Sequence, residues 1–138
     1  MAKSFTAQVS DFVRGSEEKM RKVMQASVQD VMEGAQTAAM SLARGASTVT
    51  QGAIPVDTGF LRNSLISGLN GAFGAESPDS YTMTIAGMDL GDTARFAWTA
   101  PYAASIEYGF DTYPGAHFVG LNAARWQDIV ALHAKRLK

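Results

Sequence analysis

The amino-acid sequence predicts an α+β domain: a long N-terminal helix, an antiparallel sheet of three to four strands, a short helix and a C-terminal amphipathic helix. Three observations carry this expectation. Apolar residues recur every three or four positions through the first third of the chain. Strand-forming runs punctuated by Gly, Asn and Asp fill the middle, and helical spacing returns near the end. With 138 residues, 46% of them hydrophobic and 18% charged, the chain can bury one core of ordinary size, so residues 1–138 read as a single domain.

The first helix rests on Met20, Met24, Val28, Val31, Ala35, Ala38 and Leu42, whose steps of three and four make one helix face. Ser16 in "GSEEK" suits the cap, Glu17 and Glu18 suit the positive end of the dipole, and Gly45 suits the stop. A helix over about 16–44 would be roughly 43 Å long at 1.5 Å per residue. That is long for a small domain. Its stripe lies either on the chain's own sheet or, in part, on a neighbouring subunit, with Met20, Met24, Val28 and Val31 as the candidate interface.

A Ser/Thr-rich link at 47–50 leads into "IPVDTGFLRNSL". Pro55 fixes the approach, Asp57 or Thr58 caps a short helical turn in "GFLRNSL", and Gly59 permits a close backbone contact. The sheet region, about 61–100, contains "SLISGL", "YTMTIAG" and "RFAWTA" as strands, joined by "NGAFGAESPDS" and "GMDLGD" as turns. Pro101 opens a short helix in "PYAASIEYG" that Gly109 ends. After "FDTYPGAH", a last helix over about 116–136 places Phe118, Trp126, Ile129, Val130, His133 and Leu137 near one side.

Several function classes are disfavoured. A net charge of −1 asks for neither nucleic acid nor an anionic membrane as partner. The distribution is uneven: Glu76, Asp79, Asp89, Asp92, Glu107 and Asp111 face only Arg95 across 71–111, whereas Arg125, Lys135, Arg136 and Lys138 outnumber Asp128 in 112–138. Without cysteine there is no disulfide, thiolate nucleophile or cysteine zinc site. No signal-peptide pattern or membrane-spanning run is present, so the expectation is a soluble protein made in the cytoplasm.

Asp57-Thr58-Gly59 is also the tripeptide of aspartic proteases, but there it follows a hydrophobic strand in an almost all-β fold, whereas here a helical third of the chain precedes it. His117 and His133 lack a ligand-like partner, Ser105 lacks the turn that exposes a nucleophile, and the Gly-rich turns lack the Lys of a phosphate loop. No catalytic, cofactor or metal site is expected.

"IPVDTGFLRNSL", then "PYAASIEYGF", then "YPGAHFVGLNAAR" together resemble the tail-completion (neck, head-tail joining) proteins of long-tailed bacteriophages, the group that includes the minor tail protein Z of lambda-like phages. The matches are Pro55, Val56, Asp57, Thr58, Gly59, Leu61, Arg62 and Ser64, then Tyr102, Ala103, Glu107 and Gly109, then Pro114, Gly115 and Phe118. Phe110 stands where family members commonly have Thr. The resemblance implies a structural virion protein at the top of the tail, a ring of six subunits whose bore passes DNA. Its partners would be a tail terminator or tail tube and head-closing connector proteins. It implies no enzyme, no cofactor and no membrane. The alternative is a non-catalytic module that docks a basic partner through its acidic central loops.

Three finer expectations follow. Asp57, Arg62 and Glu107 are structural, and Arg62 pairs with Glu107. Glu76, Asp79, Asp89 and Asp92 face the lumen or a basic ring above or below, because a bore lined with cations would hold phosphates. The basic C-terminal helix faces outward or binds an acidic neighbour.

Overall fold

The structure, a computed structural model, describes residues 4–38, 51–56, 59–111 and 113–137. It is α+β: α1 (Phe5–Gln36), α2 (Phe60–Asn63), β1 (Leu65–Leu69), α3 (Ser80–Ala86), β2 (Ala94–Trp98), α4 (Ala103–Tyr108), α5 (Gly120–Ala123) and α6 (Trp126–Arg136). Among the described residues, no helix is long and apolar enough to cross a membrane.

The first helix begins eleven residues before the expected start. Ser4 is its cap, with Oγ accepting from the Ala7 amide at 3.1 Å. Gly15 and Ser16 lie inside the helix, because a single interior Gly costs only about 1 kcal/mol. Phe5, Val9, Phe12 and Val13 also keep helical spacing upstream. The helix ends at Gln36 rather than Arg44, with Thr37 already extended and Ala38 bridged to Ile54. Leu42 and Gly45 lie outside the described residues.

β1 and β2 form a two-stranded antiparallel sheet in which Leu65 faces Trp98 and Leu69 faces Ala94. The expected strand "YTMTIAG" is instead α3. Its Tyr81, Met83 and Ile85 alternate with threonines, which suggests a strand. Tyr81, Ile85 and Met88 also sit at steps of four and three, and this helical spacing is the one the packing uses. Ile85 and Met88 are buried while Met83 is 81% exposed.

The connection after β1 covers that strand's outer edge: the Gly74 amide donates to Ser67 O and the Ser77 amide to Leu65 O. Gly68 has no alternative in this arrangement, since a Cβ there would collide with the Ala72 carbonyl.

The core gathers Ala35 of α1, Ile54, Leu61 of α2, Ala100, Ala116 and Phe118. Phe118 meets the Trp98 ring edge-on, with centroids 5.1 Å apart. The expected last helix is broken. α5 closes where the Arg125 amide bonds back to Asn122 O, and α6 then starts along α1. His133 Nε2 lies 2.6 Å from the Asp30 carboxylate. Ile129 is buried, whereas Trp126, placed on the same face by spacing, stays 39% exposed.

Candidate functional site

The resembling segments contribute to two polar clamps around the core. The first closes the C-terminal end of α1. Gln36 is buried, and its side-chain amide nitrogen donates to Arg62 O at 2.9 Å and Pro78 O at 2.8 Å. Its Oε1 accepts from Trp98 Nε1 at 2.8 Å. Arg62 Nε donates to Gln36 O at 2.9 Å, which satisfies one of the free carbonyls at the helix end. Gln36 and Arg62 therefore clasp one another, each side chain on the other's backbone.

The segment around Arg62 is fixed in the same manner. Gly59, in the left-handed region at φ 83°, caps α2, and its carbonyl accepts from the Asn63 amide. Leu61 is buried and Pro55 half-buried. Buried Ser64 donates to Leu61 O at 2.7 Å, while Ser64 O receives both the amide and the hydroxyl of Thr99. The expected cap by Asp57 or Thr58 lies outside the described residues.

Glu107 makes the second clamp. It is 8% exposed, and its carboxylate receives the amides of Val119 at 3.1 Å and Gly120 at 2.8 Å. Those amides open α5, where an acceptor is electrostatically favoured. The backbone zips up beside it: the Ala116 amide donates to Ile106 O and the His117 amide to Glu107 O.

Gly109, at φ 92° and ψ 166°, turns the chain in a region open essentially to glycine. A Cβ there would collide with Tyr113 O and sit 2.9 Å from the Pro114 carbonyl carbon. A Cβ at Gly115 would lie 2.7 Å from Glu107 O. Tyr102 packs on Phe60 with ring centroids 6.0 Å apart, joining the first two segments at the surface.

The expected Arg62–Glu107 ion pair does not form. Each finds backbone groups first, Arg62 the end of α1 and Glu107 the start of α5. A carboxylate on two helix-start amides is already well satisfied.

The four acids of the central loops divide between two turns. Asp79 accepts from Ser77 Oγ at 2.5 Å, and Glu76 is hydrogen-bonded by the Thr99 hydroxyl. Asp89 accepts from the Leu90 amide and pairs loosely with Arg21 at 3.5 Å, both partners solvated. Asp92 accepts from the Asp89 amide and from Asn70 Nδ2. These bonds hold its carboxyl below the usual range, first through the Asp89 amide and then through Asn70. The contribution of that carboxylate is present above the ordinary Asp range and is lost as pH falls through its lowered value. Glu76, Asp79 and Asp89 remain exposed.

Beside the first clamp lies an open polar pocket of about 410 Å³, edged by Glu33, Arg62, Asp79 and Tyr81. Burial, followed by Glu33 and Asp79, raises the Tyr81 phenol. Among the described residues, no group of three or more His, Asp or Glu could hold a metal ion. Of the expected interface residues, Met20 is 60% exposed, while Met24, Val28 and Val31 are half-buried within the chain's own packing.

Sequence reasoning missed Gln36 and Asn122. Asn122, also buried, donates to Gly52 O at 2.9 Å and Phe118 O at 2.6 Å. The available signal was that Gln36 falls one turn after Met32 on the inner face. Its partners lie 26, 42 and 62 residues away, so nothing local announces it. No family model, no curated protein and no solved structure matches the chain.

Proposed function

We propose that this chain is a structural virion protein that completes the top of a long-tailed bacteriophage's tail and joins it to the head, as a ring of six subunits around the DNA channel. The carrying observation is how the resembling segments are used. Leu61, Arg62, Ser64, Glu107 and Gly109 hold backbone to backbone and helix end to helix end. Segments used in this way build a scaffold and leave contact surfaces to other residues.

The exposed acids of the 76–79 and 89–92 turns suit a channel wall or a basic neighbouring ring, since duplex DNA carries about one negative charge per 1.7 Å. The last turn of α6 carries His133, Lys135 and Arg136 and suits an acidic neighbour or the outer surface. The same exposed acids also fit the second reading, a non-catalytic module docking a basic partner. A gene neighbourhood without portal, terminase and tape-measure genes would favour that module.

Removing the gene from a phage genome that carries it is expected to leave filled heads and full-length tails unjoined in electron micrographs, with joining restored by the supplied protein. Joined, infectious particles lacking the protein would overturn the neck reading.

A further inference from the structure

The first four turns of α1 bear an apolar stripe that the fold leaves bare. At about 100° per residue, Phe5, Val9, Phe12 and Val13 fall in one arc with Met20, Val23 and Ser27. Phe5 is 80% and Phe12 75% exposed. Further along, the same arc is covered: Ser27 is buried, Asp30 meets His133, and Gly34 lies against Asn122.

Where the cover ends, α1, α6 and Leu90 frame an open groove of about 490 Å³. It is lined by Met20, Val23 and Met24 on one side and by Trp126, Val130 and Leu137 on the other.

We propose that the N-terminal arm of a second copy of this chain seats in this groove, with Phe5, Val9 and Phe12 beside Trp126 and Val130. Steps of four and three are the anchor spacing with which an amphipathic helix fills an apolar groove. The chain cannot fill its own groove with its own arm, because Phe5–Gln36 is one uninterrupted helix.

The area is sufficient. The two phenylalanines alone expose roughly 300 Å². With the valines and the groove lining counted on both partners, the seat approaches the order of 1,000 Å² that a stable interface requires. Charge agrees as well: residues 5–18 carry Asp11, Glu17 and Glu18 against Arg14, while the α6 end carries Lys135 and Arg136. That acidic polar face also argues against a membrane surface as occupant, since interfacial helices are rich in Lys and Arg there. The contact stands apart from the neck reading, for it requires only a second copy.

The chain contains no cysteine, so single cysteines report proximity cleanly. Val9→Cys and Ala134→Cys both alter exposed positions. Mixed and mildly oxidised, they are expected to give disulfide-linked heterodimer at least about ten-fold above the yield with Arg14→Cys, on the opposite face, in place of Val9→Cys, because seating raises the effective concentration. Adding Phe5→Ser and Phe12→Ser to the Val9→Cys chain should bring the yield down to that of the control. Equal yields from the Val9 and Arg14 variants, up to millimolar protein, would overturn the proposal. Failure of head-tail joining in the phage experiment bears on the neck reading alone.

Discussion

The two ends of α1 belong to one helix and occupy opposite surroundings. From Ser27 to Gln36 it is held by Asp30–His133, by the Gln36–Arg62 clasp and by burial of Met32 and Ala35. From Phe5 to Val13 its apolar residues face water. A hydrophobic periodicity therefore predicts a helix well, and by itself does not say whether its face is core or contact surface. What marks the covered end is a polar residue with several distant partners: a buried Gln must be matched, and matching it fixes where other segments lie.

The largest effect is expected in the covered part of the molecule, at the second clamp. Gly109→Ala puts a side chain into backbone where the torsions already disfavour one, and is expected to cost about 3 kcal/mol or more. For a domain of this size, the melting temperature should fall by roughly 10 °C. A change of a degree or two would show that the turn relaxes freely and that the clamp is loose.

Glu107→Gln is milder and more specific. One of its two contacts then sets an amide NH₂ against a backbone N–H, so a loss of about 2 kcal/mol is expected. It would be read as a lower denaturant midpoint with an unchanged slope. No loss would mean that the carboxylate does not hold the start of α5.

At the other end, replacing Phe5 and Phe12 together by Ser should change the stability of dilute protein by less than about 0.5 kcal/mol, since neither side chain leaves a packed site. A large loss there would place the arm in the core and erase the contrast.

The sequence announces the parts whose signals are local. "SLISGL" and "RFAWTA" are the two strands, "PYAASIEYG" is a helix between Pro101 and Gly109, and "GFLRNSL" makes the short turn of α2. The missed parts had two compatible local solutions. "YTMTIAG" satisfies both the strand period and the helix period, and the joint burial of Ile85 and Met88 decides between them. "GSEEK" is a sound cap sequence, yet the stripe upstream carries the helix through it.

Side-chain partners were the least legible layer. Arg62 and Glu107 suggest each other by charge, but both bind backbone groups, and backbone donors and acceptors are present at every position and mark none of them. Gly59 was expected for a close backbone contact, whereas its left-handed torsion is what calls for glycine and only the Asn63 side chain lies near it. The depth at which Glu107 holds the chain was not legible.

The Gln36 side chain also bears on how the chain folds. A helix such as α1 can form within about a microsecond from its own neighbours. The three groups that satisfy Gln36 come from Arg62, Pro78 and Trp98, so its amide is complete only when α2, the turn before α3 and the end of β2 have all arrived. Closing such long loops is entropically costly and slow. A β1–β2 pairing shifted by one residue would turn Trp98 away and leave the Gln36 amide oxygen without its donor. Gln36 thus ties the register of the sheet to the end of α1, and an off-register pairing carries the cost of an unmatched buried amide.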